Sequence, residues 1–233
     1  MEPQKPAHPK DLIAGHRMRM KCKLREMGPE SLSHQELLEM ILYLSFKRGD
    51  VKPVVKALFH QFDTLGNILN ASETELKSIS GVGPAVIDLF ALLKTIYFRL
   101  DQGEMKRHDV LSNWEAVLNF TKHRLGHEKI EKFMVIYLNS QNIVVDDEIM
   151  STGTINKTAI FPREIVRAAL RRQAAAVIIV HNHPTGTLRP SHADIEMTHK
   201  IQAALATVDV TLHDHLIVGG NETVSFKSMG LLS

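Results

Sequence analysis

The chain has 233 residues, of which 44% are hydrophobic and 23% are charged, and its formal net charge is +2. This composition excludes a disordered or fibrous chain, and the length favours two globular domains of ordinary size. The small net charge is no argument for a nucleic-acid partner, and the single cysteine, Cys22, excludes an intramolecular disulfide and a cysteine-rich metal site. Any bound metal must therefore be held by histidines and carboxylates.

The amino-terminal sequence MEPQKPAHPKDL lacks the charged-then-apolar pattern of a secretory signal. No apolar run along the chain approaches the length of about 18 residues that a membrane span needs. We therefore expect a cytoplasmic protein that has no membrane partner.

Basic residues concentrate in segment 17–25, which contains no acid. They are Arg17, Arg19, Lys21, Lys23 and Arg25. The pattern is typical of a solvated helix face, because Met20, Leu24 and Met27 recur at helical spacing on the other side. The alternative is a surface that contacts nucleic-acid phosphates without reading the base sequence.

Apolar residues recur three and four positions apart over residues 12–100, which predicts a compact bundle of short helices. Two helix starts are marked by capping boxes, in which a serine is followed three positions later by a glutamate. These pairs are Ser33 with Glu36 and Ser72 with Glu75.

Residues 80–85 contain Gly81, Gly83 and Pro84 between two helical patterns. The glycines allow a tight turn and the proline favours a helix start, so the segment predicts a helix-hairpin-helix. Backbone amides at such a turn can bind a DNA phosphate. The alternative is a helix connection that only packs and binds no ligand.

The polar segment 101–112 contains Gly103 and has no sustained periodicity, which predicts an exposed connection between domains. We place the boundary between a helical domain of residues 1–104 and a second domain of residues 105–233. In the second domain, helical patterns alternate with β-branched runs such as FMVIYLN and AAAVIIVHNH. This order predicts a mixed α/β domain with a central sheet.

Two histidines and an aspartate stand out in VIIVHNHPTGTLRPSHADIEMT. His181 and His183 follow a β-branched run, so a strand that extends to them places both imidazoles on one face of the sheet. Asp194 lies in the first turn of the next predicted helix, and the intervening loop can bring it back toward the histidines. Two imidazoles and one carboxylate leave the fourth position of a tetrahedral zinc ion for water.

Each part of this pattern also has an ordinary explanation. Ser191 and Asp194 have the spacing of a capping box, so helix capping alone accounts for the carboxylate. Histidines at a strand end are often only polar loop residues. The metal-site hypothesis depends on the occurrence of all the parts together, in this order.

The pattern H-x-H-P followed by P-S-x-x-D resembles the JAMM or MPN-plus metalloprotease motif, and HNHPTG resembles its bacterial RadC branch. The resemblance extends over nearly the whole chain. MGPESLSHQELL and SISGVGPA are similar to the RadC amino-terminal region, and FPREIVRAAL, DHLIVGG and VSFKSMGLL to its catalytic-type domain. The implied fold is α/β, an α+β JAMM-type domain with three layers like those of cytidine deaminases, preceded by a small all-α helix-hairpin-helix domain.

The resemblance assigns the zinc ligands residue by residue, to His181, His183 and Asp194. It places the family's upstream glutamate at Glu131, with Glu128 as a competitor. The role of this glutamate is to take a proton from the attacking water and pass it to the leaving amine. Ser191 matches the serine that assists the oxyanion, and a hydroxyl at a helix N-terminus is suited to that role.

The activity implied by the resemblance is zinc-dependent hydrolysis of a peptide or isopeptide bond in a peptide or protein substrate, in a family traditionally associated with DNA repair. The rival hypothesis is a DNA-binding accessory protein with a non-catalytic metal site, in which DNA contacts residues 17–25 and 80–85 non-specifically. The third hypothesis is a metal-dependent nuclease. Asn182 stands where the deubiquitinase relatives have Ser or Thr, so their specificity is not carried over. The natural substrate and the oligomeric state stay open.

A second H-x-H occurs at His213 and His215, without a following P-S-x-x-D. We expect these histidines to support the site or to pack near it rather than to bind metal. Two other zinc motifs are excluded. Glu131 occupies the position where HExxH needs its second histidine, and one cysteine cannot supply the pair that a zinc deaminase needs.

Overall fold

The computed structural model describes residues 9–106, 109–153 and 161–232. The chain divides into two compact units, Met1–Ile96 and Tyr97–Ser233. The domain boundary predicted between residues 104 and 105 lies near this division and stays a prediction.

The first unit is built from helices, which enclose an apolar core of their own. Its elements are α1 (Pro9–Met27), a 3-10 turn (Pro29–Ser31), α2 (His34–Leu42), α3 (Lys52–Phe62), α4 (Leu65–Asn70), α5 (Glu73–Lys77) and α6 (Pro84–Met105), which continues into the second unit. Buried side chains of this core include Leu38, Leu42, Val55, Leu58, Ile68 and Phe90.

Both predicted capping boxes are confirmed. The Ser33 hydroxyl accepts a hydrogen bond from the Glu36 amide at the start of α2, and the Glu36 side chain accepts one from the Ser33 amide in return. Ser72 and Glu75 make the same pair of bonds at the start of α5. Each box satisfies two amides that a helix N-terminus leaves without partners.

The chain turns between α5 and α6 at Gly81, whose φ is +90°. A Cβ at this position would lie 2.7 Å from the Val54 side chain, so both the backbone conformation and the available space require glycine. Pro84 is the first residue of α6, in agreement with its preference for the first helical position.

Helix α6 extends further than the sequence indicated. Residues 101–105 were expected to belong to a polar connection, but they form the last turns of this helix. The reason is packing, because Phe98 and Met105 insert into the core of the second unit, and such contacts outweigh the modest helix penalty of Gly103. Across the described part of the chain, neither α6 nor any other helix is long and apolar enough to cross a membrane.

The described residues of the second unit form a five-stranded sheet with the order β2-β1-β3-β4-β5. Its elements are α7 (Trp114–Leu125), β1 (Lys132–Leu138), β2 (Val144–Thr152), α8 (Pro162–Arg171), β3 (Ala176–Asn182), α9 (His192–Ala206), β4 (Thr211–Gly219) and β5 (Glu222–Ser225). Strand β1 pairs antiparallel with β2 and β3, β3 pairs parallel with β4, and β4 pairs antiparallel with β5. The sheet is therefore mixed.

Helices cover both faces of this sheet and make a three-layer domain. Helices α8 and α9 pack on one face, over a core that includes Phe133 and Val135. Helix α7 and the end of α6 pack on the other face, over a core that includes Met134 and Ile136. Alternate residues of the central strand β1 thus face opposite layers, as strand geometry requires. The predicted α+β architecture with a preceding helical region is confirmed.

Strand β4 contains a β-bulge at His213. Val177 pairs with Leu212 and Ile178 with Asp214, so one residue of β4 has no partner on β3. The bulge reverses the alternation of β4. The His215 ring contacts Phe226 in the α8–α9 layer, whereas the His213 ring lies against Trp114, which packs in the α7 layer.

Candidate metal centre

The three predicted zinc ligands lie at one end of the sheet, in the layer that contains α9. His181 is the second-last residue of β3 and is fully buried. His183 follows the strand directly, and its amide still donates to the Val218 carbonyl at 2.8 Å. Asp194 lies in the first turn of α9 and is 2% exposed.

The ligand atoms of these residues all lie within 4.8 Å of one another. The two Nε2 atoms of His181 and His183 are 2.9 Å apart. The Asp194 carboxylate has Oδ1 at 3.4 Å from His181 Nε2 and Oδ2 at 3.6 Å from His183 Nε2. Zinc bonds of about 2.0–2.1 Å at tetrahedral angles give ligand separations of about 3.3 Å. The donor set therefore fits a zinc ion in both chemistry and spacing.

A hydrogen-bonded path fixes the tautomer of His181. The Thr198 hydroxyl donates to the Asp194 carbonyl oxygen at 2.6 Å, so its oxygen accepts from Nδ1 of His215, also at 2.6 Å. Nε2 of His215 is then free of a proton and accepts from His181 Nδ1 at 2.8 Å. This leaves the Nε2 lone pair of His181 directed into the centre, as a metal ligand requires.

A backbone carbonyl fixes the tautomer of His183. Nδ1 of His183 donates to the Thr187 carbonyl oxygen at 2.6 Å, so in the neutral ring Nε2 carries the lone pair that a metal ion would use. The loop that carries Thr187 approaches Gly219 of β4 closely. A Cβ on Gly219 would lie 2.8 Å from the Gly186 carbonyl oxygen, so the absence of a side chain on β4 permits this loop position.

The charges of the centre are arranged for a cation. Burial lowers the pKa of His181 to about 4, which keeps its ring neutral. Burial alone would raise the pKa of Asp194, but hydrogen bonds from His183 and Ser191 outweigh burial and hold this pKa below its usual range. The hydrogen bond to Asp194 raises the pKa of His183. An ionised carboxylate thus faces two imidazoles that a proton or a metal ion can bridge.

Asp194 also caps α9, so helix capping and a place among the predicted metal ligands are compatible for this residue. Its Oδ2 accepts from the Ser191 amide and hydroxyl, both at 2.7 Å, and its own amide donates to the Ser191 Oγ at 3.1 Å. The other carboxylate oxygen, Oδ1, remains directed at His181. The capping box orients the carboxylate toward the histidines.

Glu131 lies at the same end of the sheet as the histidines. It directly precedes β1, and Phe133 of β1 pairs with His181 of β3. Its charge contributes to the raised pKa of His183, which places it within electrostatic reach of the centre. The competitor Glu128 forms an ion pair with Lys132 at 2.8 Å.

Three residues that sequence reasoning missed also act at this centre. Thr198 lies one helical turn after Asp194, and this spacing places both residues on one face of α9. The sequence could therefore have indicated that Thr198 lies near the metal centre. The Thr187 carbonyl is a backbone group and left no signal. Asn182 binds the backbone on both sides of Glu131, and no pattern in the sequence indicates this.

His215 supports His181, as expected for the second H-x-H, whereas His213 lies on the other face of the sheet.

Part of the basic segment 17–25 is engaged within the first unit. The Arg17 guanidinium donates to the Tyr43 carbonyl at 2.9 Å and lies over the Tyr43 ring, and Lys23 pairs with Glu36 at 2.7 Å. Arg19 and Arg25 are exposed. Met20 is buried, as the solvated helix face predicts, whereas Met27, which was expected on the same side, is the last residue of α1 and is exposed.

Comparison with known families agrees with this geometry. A family model described as the RadC-like JAB domain matches residues 111–231. A second model, described as the UPF0758 N-terminal domain, matches residues 15–87. The first match covers more than half of the chain and includes the two histidines and Asp194. The chain belongs to the RadC-like JAB-domain family.

Proposed function

We propose that this chain is a zinc-dependent hydrolase of a peptide or isopeptide bond in a peptide or protein substrate. The observation that supports it most directly is the convergence of the Nε2 atoms of two imidazoles and one carboxylate at separations suited to tetrahedral zinc. Bound zinc polarises a carbonyl and lowers the pKa of a coordinated water to about 7, which is the chemistry that amide hydrolysis needs.

In this proposal the protein side chains move protons and hold charge. Glu131 takes a proton from the attacking water and returns it to the leaving amine. Ser191, exposed at the start of α9, turns its hydroxyl from Asp194 toward the negative charge that develops on the substrate oxygen. The cytoplasmic location, the association with DNA repair and non-specific DNA contact through residues 17–25 and 80–85 belong to the same proposal.

Metal analysis combined with a peptide and isopeptide hydrolysis screen tests it. We expect about one zinc per chain in the wild type and in Glu131→Gln, and hydrolysis only in the wild type. His181→Ala should lose the metal. His213→Ala is the matched control, because it removes a histidine of the other H-x-H on the opposite face of the sheet, and it should keep both metal and activity.

Two outcomes separate the rival hypotheses. If Glu131→Gln hydrolyses peptides as fast as the wild type, the assigned proton transfer is wrong. If the protein binds zinc but cleaves no peptide or isopeptide, while DNA binding persists in His181→Ala, the accessory-protein hypothesis replaces the enzyme. Phosphodiester cleavage that disappears in His183→Ala would favour the nuclease.

A further inference from the structure

Asn182 lies between the two histidines of the centre and is 1% exposed. Its Oδ1 accepts a hydrogen bond from the Lys132 amide at 2.7 Å. Its Nδ2 donates to the carbonyl oxygens of Glu128 and Ile130, at 3.1 and 3.3 Å. The partners lie on both sides of Glu131, so one buried amide binds the backbone immediately before and immediately after this residue.

We propose that Asn182 is a positioning residue that holds the Glu131 carboxylate at the open face of the metal centre. The inference rests on the proposed function, in which Glu131 transfers the proton. Residues 128–131 contain no helix or strand, so their backbone direction depends on such contacts. The Gly153 amide, which directly follows β2, donates to the Glu131 carbonyl oxygen at 2.7 Å and restrains the same segment. A catalytic group is effective only when its support keeps it within a fraction of an ångström of its position.

The chemistry of the side chain explains why an amide serves here. The segment presents one N–H group and two carbonyl oxygens to the Asn182 side chain. A carboxamide offers one acceptor and two donor hydrogens, which matches this set, whereas a serine or threonine hydroxyl has only one hydrogen to donate. Replacement of Asn182 by a hydroxyl residue therefore leaves at least one carbonyl without a bond.

Azide binding to the cobalt-loaded, full-length protein measures where the Glu131 carboxylate lies. A carboxylate beside the open metal position repels the azide anion, so Glu131→Gln should bind azide about four- to tenfold more tightly than the wild type. Asn182→Ala and Asn182→Ser, which both preserve the charge of the protein, should show at least half of this gain. The double variant Glu131→Gln/Asn182→Ala should bind azide as Glu131→Gln does, because Asn182 acts only through Glu131.

Asn139→Ala is the matched control. The Asn139 side chain also binds backbone amides, those of Gln141 and Ile143 at 2.9 and 3.0 Å, but at the other end of β1. The Asn139→Ala variant should therefore bind azide with the affinity of the wild type. Cobalt affinity and the thermal unfolding midpoint, measured for each variant, show that the ligands and the fold persist, and Asn182→Ser carries the test if Asn182→Ala does not fold.

The outcomes separate this inference from the proposed function. If Glu131→Gln gains azide affinity and both Asn182 variants behave as the wild type, the positioning role is overturned and the proposed function stands. The positioning role is also overturned if the gains in azide affinity of Glu131→Gln and Asn182→Ala add up in the double variant. If Glu131→Gln leaves azide affinity unchanged, Glu131 does not lie beside the metal, and both the positioning role and the proton transfer fail.

Discussion

Nε2 of His215 lies 2.8 Å from Nδ1 of His181, which is one of the three predicted zinc ligands. The path continues from His215 through the Thr198 hydroxyl to the main chain of Asp194. A change at His215 therefore acts on the orientation of His181 and on the first turns of α9 together.

Removal of the acceptor on this path should weaken metal binding. His215→Phe leaves His181 Nδ1 without its partner in a buried site, so we expect zinc affinity to fall roughly 10- to 100-fold. Thr198→Val should lower it in the same direction but less, because His215 remains. Competition with a chromophoric chelator measures both. His213→Ala serves as the control, and a His215→Phe protein with wild-type affinity would show that the path has no role in metal binding.

Zinc affinity should fall with decreasing pH because a proton competes for His183. Its pKa is raised, first by the hydrogen bond to Asp194, so the metal-free protein takes up this proton at a higher pH than an unperturbed histidine would. Below that pKa we expect affinity to fall about tenfold per pH unit, since one proton is displaced. His181, with a pKa of about 4, adds a second proton only in strong acid. Calorimetry in buffers of different ionisation heats counts the protons, and pH-independent affinity between 8 and 5.5 would contradict this assignment.

A methyl group on Gly219 should disturb the centre from a distance. In Gly219→Ala the new Cβ meets the Gly186 backbone at 2.8 Å, so the loop that carries Thr187 must move and release His183. We expect zinc affinity to fall about tenfold. Gly103→Ala is the matched control, because nothing lies within 4 Å of its Cβ and it lies inside a helix. That variant should keep its metal and gain about 0.5–1 kcal/mol in stability.

Alkaline pH should reveal the burial of Tyr137. Burial raises the pKa of its phenol to about 12, against about 10 in the unfolded chain. The folded protein holds this proton more tightly, so the stabilisation is complete below pH 10 and is lost as the pH rises toward 12. The loss amounts to about 2–3 kcal/mol. Urea unfolding of the wild type and of Tyr137→Phe at several pH values measures this loss. If the free energy of unfolding depends on pH in the same way in both proteins, the raised pKa of Tyr137 is refuted.

DNA binding, if residues 17–25 carry it, should depend on the exposed arginines. Arg19→Ala/Arg25→Ala removes two surface cations and should lower affinity for duplex DNA and reduce its salt dependence by about two units of slope. Arg17→Ala is a poor probe, since its guanidinium already contacts Tyr43. Filter binding at several salt concentrations measures the effect. Equal salt slopes in the wild type and the double variant would place any DNA contact elsewhere.

Sequence reasoning succeeded where the chemistry is local. Ser33 and Ser72 cap helices because a capping box needs only four consecutive residues. The structure also brings His181, His183 and Asp194 together, because a single loop joins β3 to α9. Their roles as metal ligands stay a prediction.

The features that were missed depend on contacts between distant segments. The end of α6 is helical because Met105 packs in a core formed by later strands. Asn182 reaches a segment that lies some fifty residues earlier in the chain. Strict alternation predicts that His213 and His215 share a face, but the bulge separates them. None of these contacts leaves a periodic pattern in one sequence.

The bulge at His213 makes the length of β4 as important as its composition. One additional residue allows a single strand to place one histidine ring in each layer of the domain. Deletion of that residue restores strict alternation within β4, and the residues on one side of the deletion must then exchange faces. Either the hydrophobic cores or the His215 ring end up in the wrong layer. Single-residue insertions and deletions in this strand should therefore be tolerated less well than most substitutions.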